Sequence, residues 1–146
     1  MAMRLVTRSD FDGLACGALL HDAGIIDHWK FAHPKDLQDG LIPIDENDCL
    51  ANVPFVPGCG LWFDHHSSEF ERQELEGKYK GESRITPSCA RIIYEYYGGK
   101  ERFPNYDDIK INKGLILCKK GRYRGAFSIW GKLICEPKYS HIIPLT

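Results

Sequence analysis

Gly60-Leu61-Trp62-Phe63-Asp64-His65-His66 sets an apolar run directly before a carboxylate and two imidazoles. A continuous apolar run of this length reads as a strand buried on both faces, and its polar end as metal-ligand chemistry at the carboxyl edge of a sheet. A second acidic cluster, Ser9-Asp10-Phe11-Asp12-Gly13, follows the apolar run Met3-Arg4-Leu5-Val6-Thr7 in the same way. In an open α/β sheet, ligands bind in the crevice beyond the carboxyl ends of the strands. Both clusters are therefore expected at one site.

Outward from these two strands the chain alternates extended and helical signals. Residues 3–7 read as a strand. Asp12 or Gly13 through Ala23 reads as a helix, with Leu14, Ala18 and Leu19 on one face and Gly24 as its stop. Residues 28–32 form a second strand, closed by Pro34, and a loop with Asp36, Asp39, Gly40, Pro43 and Asp45 follows. Cys49–Val53 is a third strand halted by Pro54, and Leu61–Phe63 a fourth. Ser68 and Glu71 have capping-box spacing, so a short helix is expected to about Leu75. The run 77–84 reads as an exposed loop. Thr86-Pro87-Ser88 puts a capping hydroxyl ahead of a proline, and Cys89, Ile92, Ile93 and Tyr96 make an apolar stripe ending at Gly98-Gly99. A last short helix is expected near Pro104. The expected fold class is α/β: a mainly parallel sheet with helices on both faces.

At 146 residues with 43% hydrophobic content the chain can bury a continuous core without metal or disulfide staples. The formal net charge of -1 argues against general attraction to nucleic acid or to an anionic membrane. Charge is uneven, however. From Lys110 onward there are eight Lys or Arg and one acidic residue, Glu136. That segment, 110–146, reads as a basic, poorly specified tail, in which Ile111–Cys118 and Ala126–Cys135 have strand character. The six cysteines form no C-x-x-C pair, and they read as small apolar core residues in a cytoplasmic protein. No apolar run is long enough to span a membrane.

The chemistry rests on the two clusters. Two divalent ions roughly 3.5 to 4 Å apart need several carboxylates and imidazoles that leave room for water and a phosphoryl oxygen. Asp10, Asp12, Asp64 and His65 supply such a set, and carboxylates with imidazole suit Mn2+ (or Mg2+) better than a closed zinc site.

These residues carry a family resemblance. Val6-Thr7-Arg8-Ser9-Asp10-Phe11-Asp12-Gly13-Leu14 with Asp64-His65-His66 resembles the first and third signature motifs of the DHH phosphoesterase superfamily. Phe31 to Asp36, Asn52-Val53-Pro54, Gly58 to Phe63 and Pro87 to Arg91 are similar to its exopolyphosphatase-related branch. The resemblance covers residues 1–109 or so and implies a Rossmann-like domain of a Mn2+- or Mg2+-dependent hydrolase of phosphate esters or anhydrides. By match, Asp10 and Asp12 would each bind a different metal and His65 would ligate the second. Asp64 would ligate or orient, and His66 would face the substrate phosphate or leaving group. A phosphate-containing small molecule or short polymer is the implied partner.

The chain departs from the pattern at three places. Arg8 and Val6 stand where many relatives carry a histidine, and Asn52 where they carry a bridging aspartate, for which Asp45 or Asp48 is a possible substitute. A further acidic ligand and the second domain of relatives have no counterpart after Asp108. The competing reading is thus a truncated or degenerate domain that binds metal or phosphate with little or no turnover.

Plainer roles stand beside these. Asp12 can be a helix N-cap and Asp10 a solvated loop residue, His65 and His66 can bond backbone, and His33 before Pro34 suits a turn. Thr86 and Ser88 can cap a helix or bind phosphate at its N-terminus. Arg84 and Arg91 suit solvent as well as a phosphate. The basic tail, with Tyr123, Phe127 and Trp130, offers a stacking surface for nucleic acid without an ordered pattern to support it. Homo-oligomer formation is also open, since a half-formed cleft would leave apolar surface for a second copy.

Overall fold

The apolar runs become adjacent parallel strands. The structure is a computed structural model that describes residues 2–104 throughout and, beyond them, the backbone of the strand segments 110–112, 115–120, 123–128 and 133–139. In chain order the first part consists of β1 (Met3–Thr7), α1 (Phe11–Asp22), β2 (Ile26–Phe31), α2 (Pro34–Gln38), β3 (Asp48–Ala51), β4 (Leu61–Asp64), α3 (Glu69–Leu75), β5 (Gly81–Ser83) and α4 (Cys89–Tyr96). The five strands form one parallel sheet in the order β2-β1-β3-β4-β5. This is an α/β, Rossmann-like sheet.

Alternation along each strand divides the core into two layers. Leu5, Cys49, Ala51 and Phe63 face one side, where they pack with Leu14, Leu19 and Leu20 of α1 and Ile92 and Ile93 of α4. Val6, Leu50 and Trp62 face the other, against Leu37 of α2 and the partly buried Leu75 of α3. Helices therefore cover both faces. Chain reversal between β1 and β3 makes their carboxyl ends the topological switch point, where an open crevice forms.

Several local expectations are corrected. The segment after Pro34 is not all loop, because His33 accepts a hydrogen bond at Nδ1 from Lys35 N–H at 3.2 Å and Leu37 is buried, which is enough for one helical turn. The run 77–84 is not all loop either. Its Gly81–Ser83 adds an edge strand to β4 through backbone pairing. Helix α1 begins at Phe11 with Asp10 as its N-cap, and α4 begins at Cys89 with Ser88 as its N-cap, so neither Asp12 nor Thr86 caps. The capping box at Ser68 and Glu71 forms with both bonds present, at 3.2 and 2.9 Å. The short helix expected near Pro104 lies outside the described residues.

Asp48 cannot replace a bridging aspartate. It opens β3, at the opposite end from the crevice, where Arg4 donates to its two carboxylate oxygens at 2.7 and 3.1 Å. Asp45, which precedes it, offers its backbone N–H to the same carboxylate at 2.9 Å.

In the basic segment the described backbone forms β6 (Lys110–Asn112), β7 (Leu115–Lys120), β8 (Tyr123–Ser128) and β9 (Leu133–Tyr139), paired antiparallel in that order. Two stretches of strand character are thus resolved into four strands. Among the described residues no helix is long and apolar enough to cross a membrane.

Burial of ionisable side chains gives the fold a pH dependence. It pushes the Cys16 and Cys49 thiols up, the Cys59 thiol to about 11 from an ordinary 9.0, and the Tyr97 phenol to about 12 from 10.0. A pKa raised on folding contributes stability that is complete below the unfolded value and is lost as pH rises through the folded one. The urea midpoint is therefore expected to fall steadily from pH 9 towards pH 11. A midpoint that stays level over that window would contradict this.

Candidate functional site

Each acidic cluster emerges from the carboxyl end of a central strand, and backbone close to it sets its direction. Gly13 follows Asp12 because a Cβ there would lie 2.1 Å from the Arg8 carbonyl oxygen and 2.7 Å from Thr7 Oγ1. Only glycine lets α1 start so close to the end of β1. Asp10, as N-cap, accepts the Gly13 N–H at 2.8 Å on Oδ1.

The structure distributes the expected site residues over three pairs. The first joins β1 to β3: Asn52 Nδ2 donates to both carboxylate oxygens of Asp10, at 3.0 and 3.2 Å. Arg8 Nε stands 3.6 Å from Asp10 Oδ2. Asn52 is buried and has a left-handed backbone, φ 60°, a conformation that asparagine tolerates better than most residues. Its Oδ1 is buried without a hydrogen-bond partner among the described residues.

The second pair is Asp12 with His65. Asp12 accepts from the backbone N–H of Cys89 at 2.8 Å and of Ala90 at 2.9 Å, so its carboxylate is seated on the first turn of α4, where the helix dipole favours negative charge. His65 Nε2 lies 3.2 Å from Asp12 Oδ2, and its Nδ1 lies 3.1 Å from the Thr86 carbonyl oxygen. A carbonyl only accepts, so Nδ1 carries the proton and a neutral ring points its Nε2 lone pair at a carboxylate. Two acceptors in this arrangement require a proton or a metal ion between them.

The third pair is Asp64 with His66. His66 Nδ1–H donates to Asp64 Oδ1 at 2.9 Å, while Asp64 Oδ2 accepts from Ser67 Oγ at 2.8 Å, and Ser67 is in turn 3.0 Å from Ser83 Oγ. The carboxylate is buried, but the His66 ring is half exposed, and among the described residues its hydrogen bond is made through Nδ1 and not Nε2. A cavity of about 910 Å³ opens beside it, lined by Arg8, Asn52, Asp64, His66, Trp62 and Lys78 among others.

Among the described residues no three His, Cys, Asp or Glu side chains gather into one metal-holding group. The Asp12–His65 pair nevertheless has the donor chemistry for a hard divalent ion. Two donors about 2.1 Å from one ion and at right angles lie about 3 Å apart, and ions such as Mg2+ commonly keep several waters beside one or two protein ligands. Sequence reading placed Asp10, Asp12, Asp64, His65, His66 and Asn52 at this edge. It missed the amides of α4, the Thr86 carbonyl and the Ser67–Ser83 relay. Only Ser67, next to His66, left a trace in the sequence.

The remaining candidates have ordinary structural roles. His33 caps α2, Ser88 caps α4, and Thr86 Oγ1 donates to the Ser88 carbonyl at 2.7 Å. Arg84 and Arg91 both pair with Glu95. Cys16, Cys49 and Cys89 are buried free thiols.

No family model matches the chain, and no curated protein does. Among solved structures the chain is similar to a pGpG-specific phosphodiesterase, PggH from Vibrio cholerae, with a TM-score of 0.60 and 45% identity over 70% of this chain and 32% of that one. The chain thus spans about a third of that protein's length.

Proposed function

We propose that the chain carries the catalytic domain of a divalent-metal-dependent phosphoesterase of the DHH superfamily, and that it cleaves a short phosphodiester. The observation that carries this reading is the Asp64–His66 pair, 2.9 Å apart, in which the imidazole lines the cavity and is bonded, among the described residues, through Nδ1 and not Nε2. A 45% identical neighbour with phosphodiesterase activity supports the same reading. Its named substrate favours a linear dinucleotide over the polyphosphate that the exopolyphosphatase-related resemblance implies.

Each residue then has a task. A divalent ion, Mn2+ or Mg2+, at Asp12 and His65 would supply Lewis acidity and a water of lowered pKa. Asp64 holds His66 by Nδ1–H, so that Nε2 can give a proton to the leaving oxygen. Ser67 and Ser83 keep the Asp64 carboxylate from turning away. Asn52 and Asp10 fix the ends of β3 and β1 to each other across the switch point.

A specific observation favours a second reading, a domain that binds metal or phosphate with little turnover: Asp10 is met by the amide of Asn52 in place of a second carboxylate. Incubation of the purified chain with pGpG, polyphosphate and Mn2+ decides between them. The expected result is Mn2+-dependent conversion of pGpG to GMP. Bound Mn2+ with no turnover of either substrate would establish the second reading, and release of phosphate from polyphosphate alone would overturn the dinucleotide assignment.

A further inference from the structure

We infer that this centre takes a single divalent ion, at Asp12 and His65, and that the Arg8 guanidinium serves as its second positive centre, gripping the substrate phosphate at the cavity mouth. The inference rests on the phosphoesterase reading above. Its basis is the way in which Asp10 is already occupied.

Asp10 Oδ1 accepts from Gly13 N–H at 2.8 Å and from Asn52 Nδ2 at 3.0 Å, while Oδ2 accepts from Asn52 Nδ2 at 3.2 Å and faces Arg8 Nε at 3.6 Å. The groups around this carboxylate are thus all donors. A cation brought to Asp10 would meet amide hydrogens and a permanent positive charge, without a lone pair from Asn52. Rotation of the Asn52 amide would offer Oδ1 to an ion only by giving up both bonds to Asp10, and it would leave the Arg8 charge 3.6 Å from Oδ2. The residue itself is fixed, being buried, left-handed in backbone and joined by its N–H to the Phe63 carbonyl at 3.0 Å. Asp12 also accepts two amide N–H groups, and Cys16 Sγ lies 3.9 Å from its Oδ1, but its ion-pair neighbour is an imidazole where that of Asp10 is a guanidinium. Beside its two amide bonds it has an imidazole lone pair for company, 3.2 Å away.

Arg8 is suited to the vacated role. Its side chain is 42% exposed and lines the same cavity as His66, Asn52 and Asp64. A guanidinium is charged at every working pH and presents a planar fork that matches two oxygens of a phosphate. With Nε 3.6 Å from Asp10 Oδ2, the terminal nitrogens of the fork can serve a substrate phosphate.

Ion counting by manganese EPR titration, with metal analysis after gel filtration, tests this on the purified chain. One Mn2+ per chain is expected, retained in Asp10→Asn and lost in His65→Ala. Arg8→Ala should keep the ion and its affinity but raise KM for the phosphodiester about tenfold or more, and Arg8→Lys should recover part of that loss through charge without the fork. Two ions per wild-type chain, or an Arg8→Ala variant with unchanged KM, would overturn the inference and leave the phosphoesterase reading standing. A chain that binds no ion and turns over nothing would remove both.

Discussion

Asp64→Asn is expected to lower kcat for the phosphodiester by about 10²- to 10⁴-fold, the range typical of a lost general acid or base. The carboxylate is buried and spends its two oxygens on His66 and Ser67, at 2.9 and 2.8 Å, so its effect is transmitted through the imidazole. An amide at this position can still accept from Ser67, yet it no longer stabilises the imidazolium or enforces protonation at Nδ1. On the proposed reading Asp64 is a positioning residue, and His66 the group that would meet substrate. His66→Ala should cost a similar factor, and the double variant little more than either single one, because residues that act as a unit are not additive. Steady-state kinetics with the bound Mn2+ counted in parallel gives the check. A loss of less than tenfold in either single variant, with the ion still bound, would exclude the assigned proton transfer.

Phe63→Ala is expected to destabilise the fold by about 3 to 5 kcal/mol, the usual range for removing a fully buried aromatic ring. Phe63 has no exposed surface, and its ring sits edge-on to Tyr96 with centroids 5.1 Å apart. Its backbone carbonyl accepts from Asn52 N–H at 3.0 Å and from Cys89 Sγ at 3.3 Å. The ring thus supports the strand end from which Asp64 and His65 project, and a void there should loosen the site before it unfolds the sheet. Urea denaturation measures the effect, with Ile85→Ala as a comparison, since Ile85 is 78% exposed and its change should stay within about 0.5 kcal/mol. A Phe63→Ala loss below about 1 kcal/mol would show that the layer between β4 and α4 does not bear on stability as argued.

Some elements could be read directly from neighbouring residues. The apolar runs before Asp10 and Asp64 are strands buried on both faces, as continuous hydrophobicity implies, and the Ser68–Glu71 spacing forms its capping box. Where the reading failed, the signal was shorter than the element. Helix α2 has one buried side chain, Leu37, in five residues, too few to show a helical period. Strand β5 has three residues and is held by its pairing to β4, which depends on a partner that no local pattern announces. By position Asp12 suits a cap of its own helix, whereas its carboxylate reaches the first turn of α4, 77 and 78 positions along the chain.

Residue pattern along the chain is enough for the alternation of strands and helices, the parallel sheet, and the set of acids and imidazoles at one edge of it. Those features follow from hydrophobic period and caps, which are properties of residues close together in the chain. How that set is partnered emerges from the folded arrangement: Asp10 with Asn52 and Arg8, Asp12 with His65 and the amides of α4, Asp64 with His66 and Ser67. Side chains at the ends of different strands meet according to strand order and helix packing, and hydrogen-bond partnership is settled over distances of about 3 Å, which no pattern of spacing along the chain can specify.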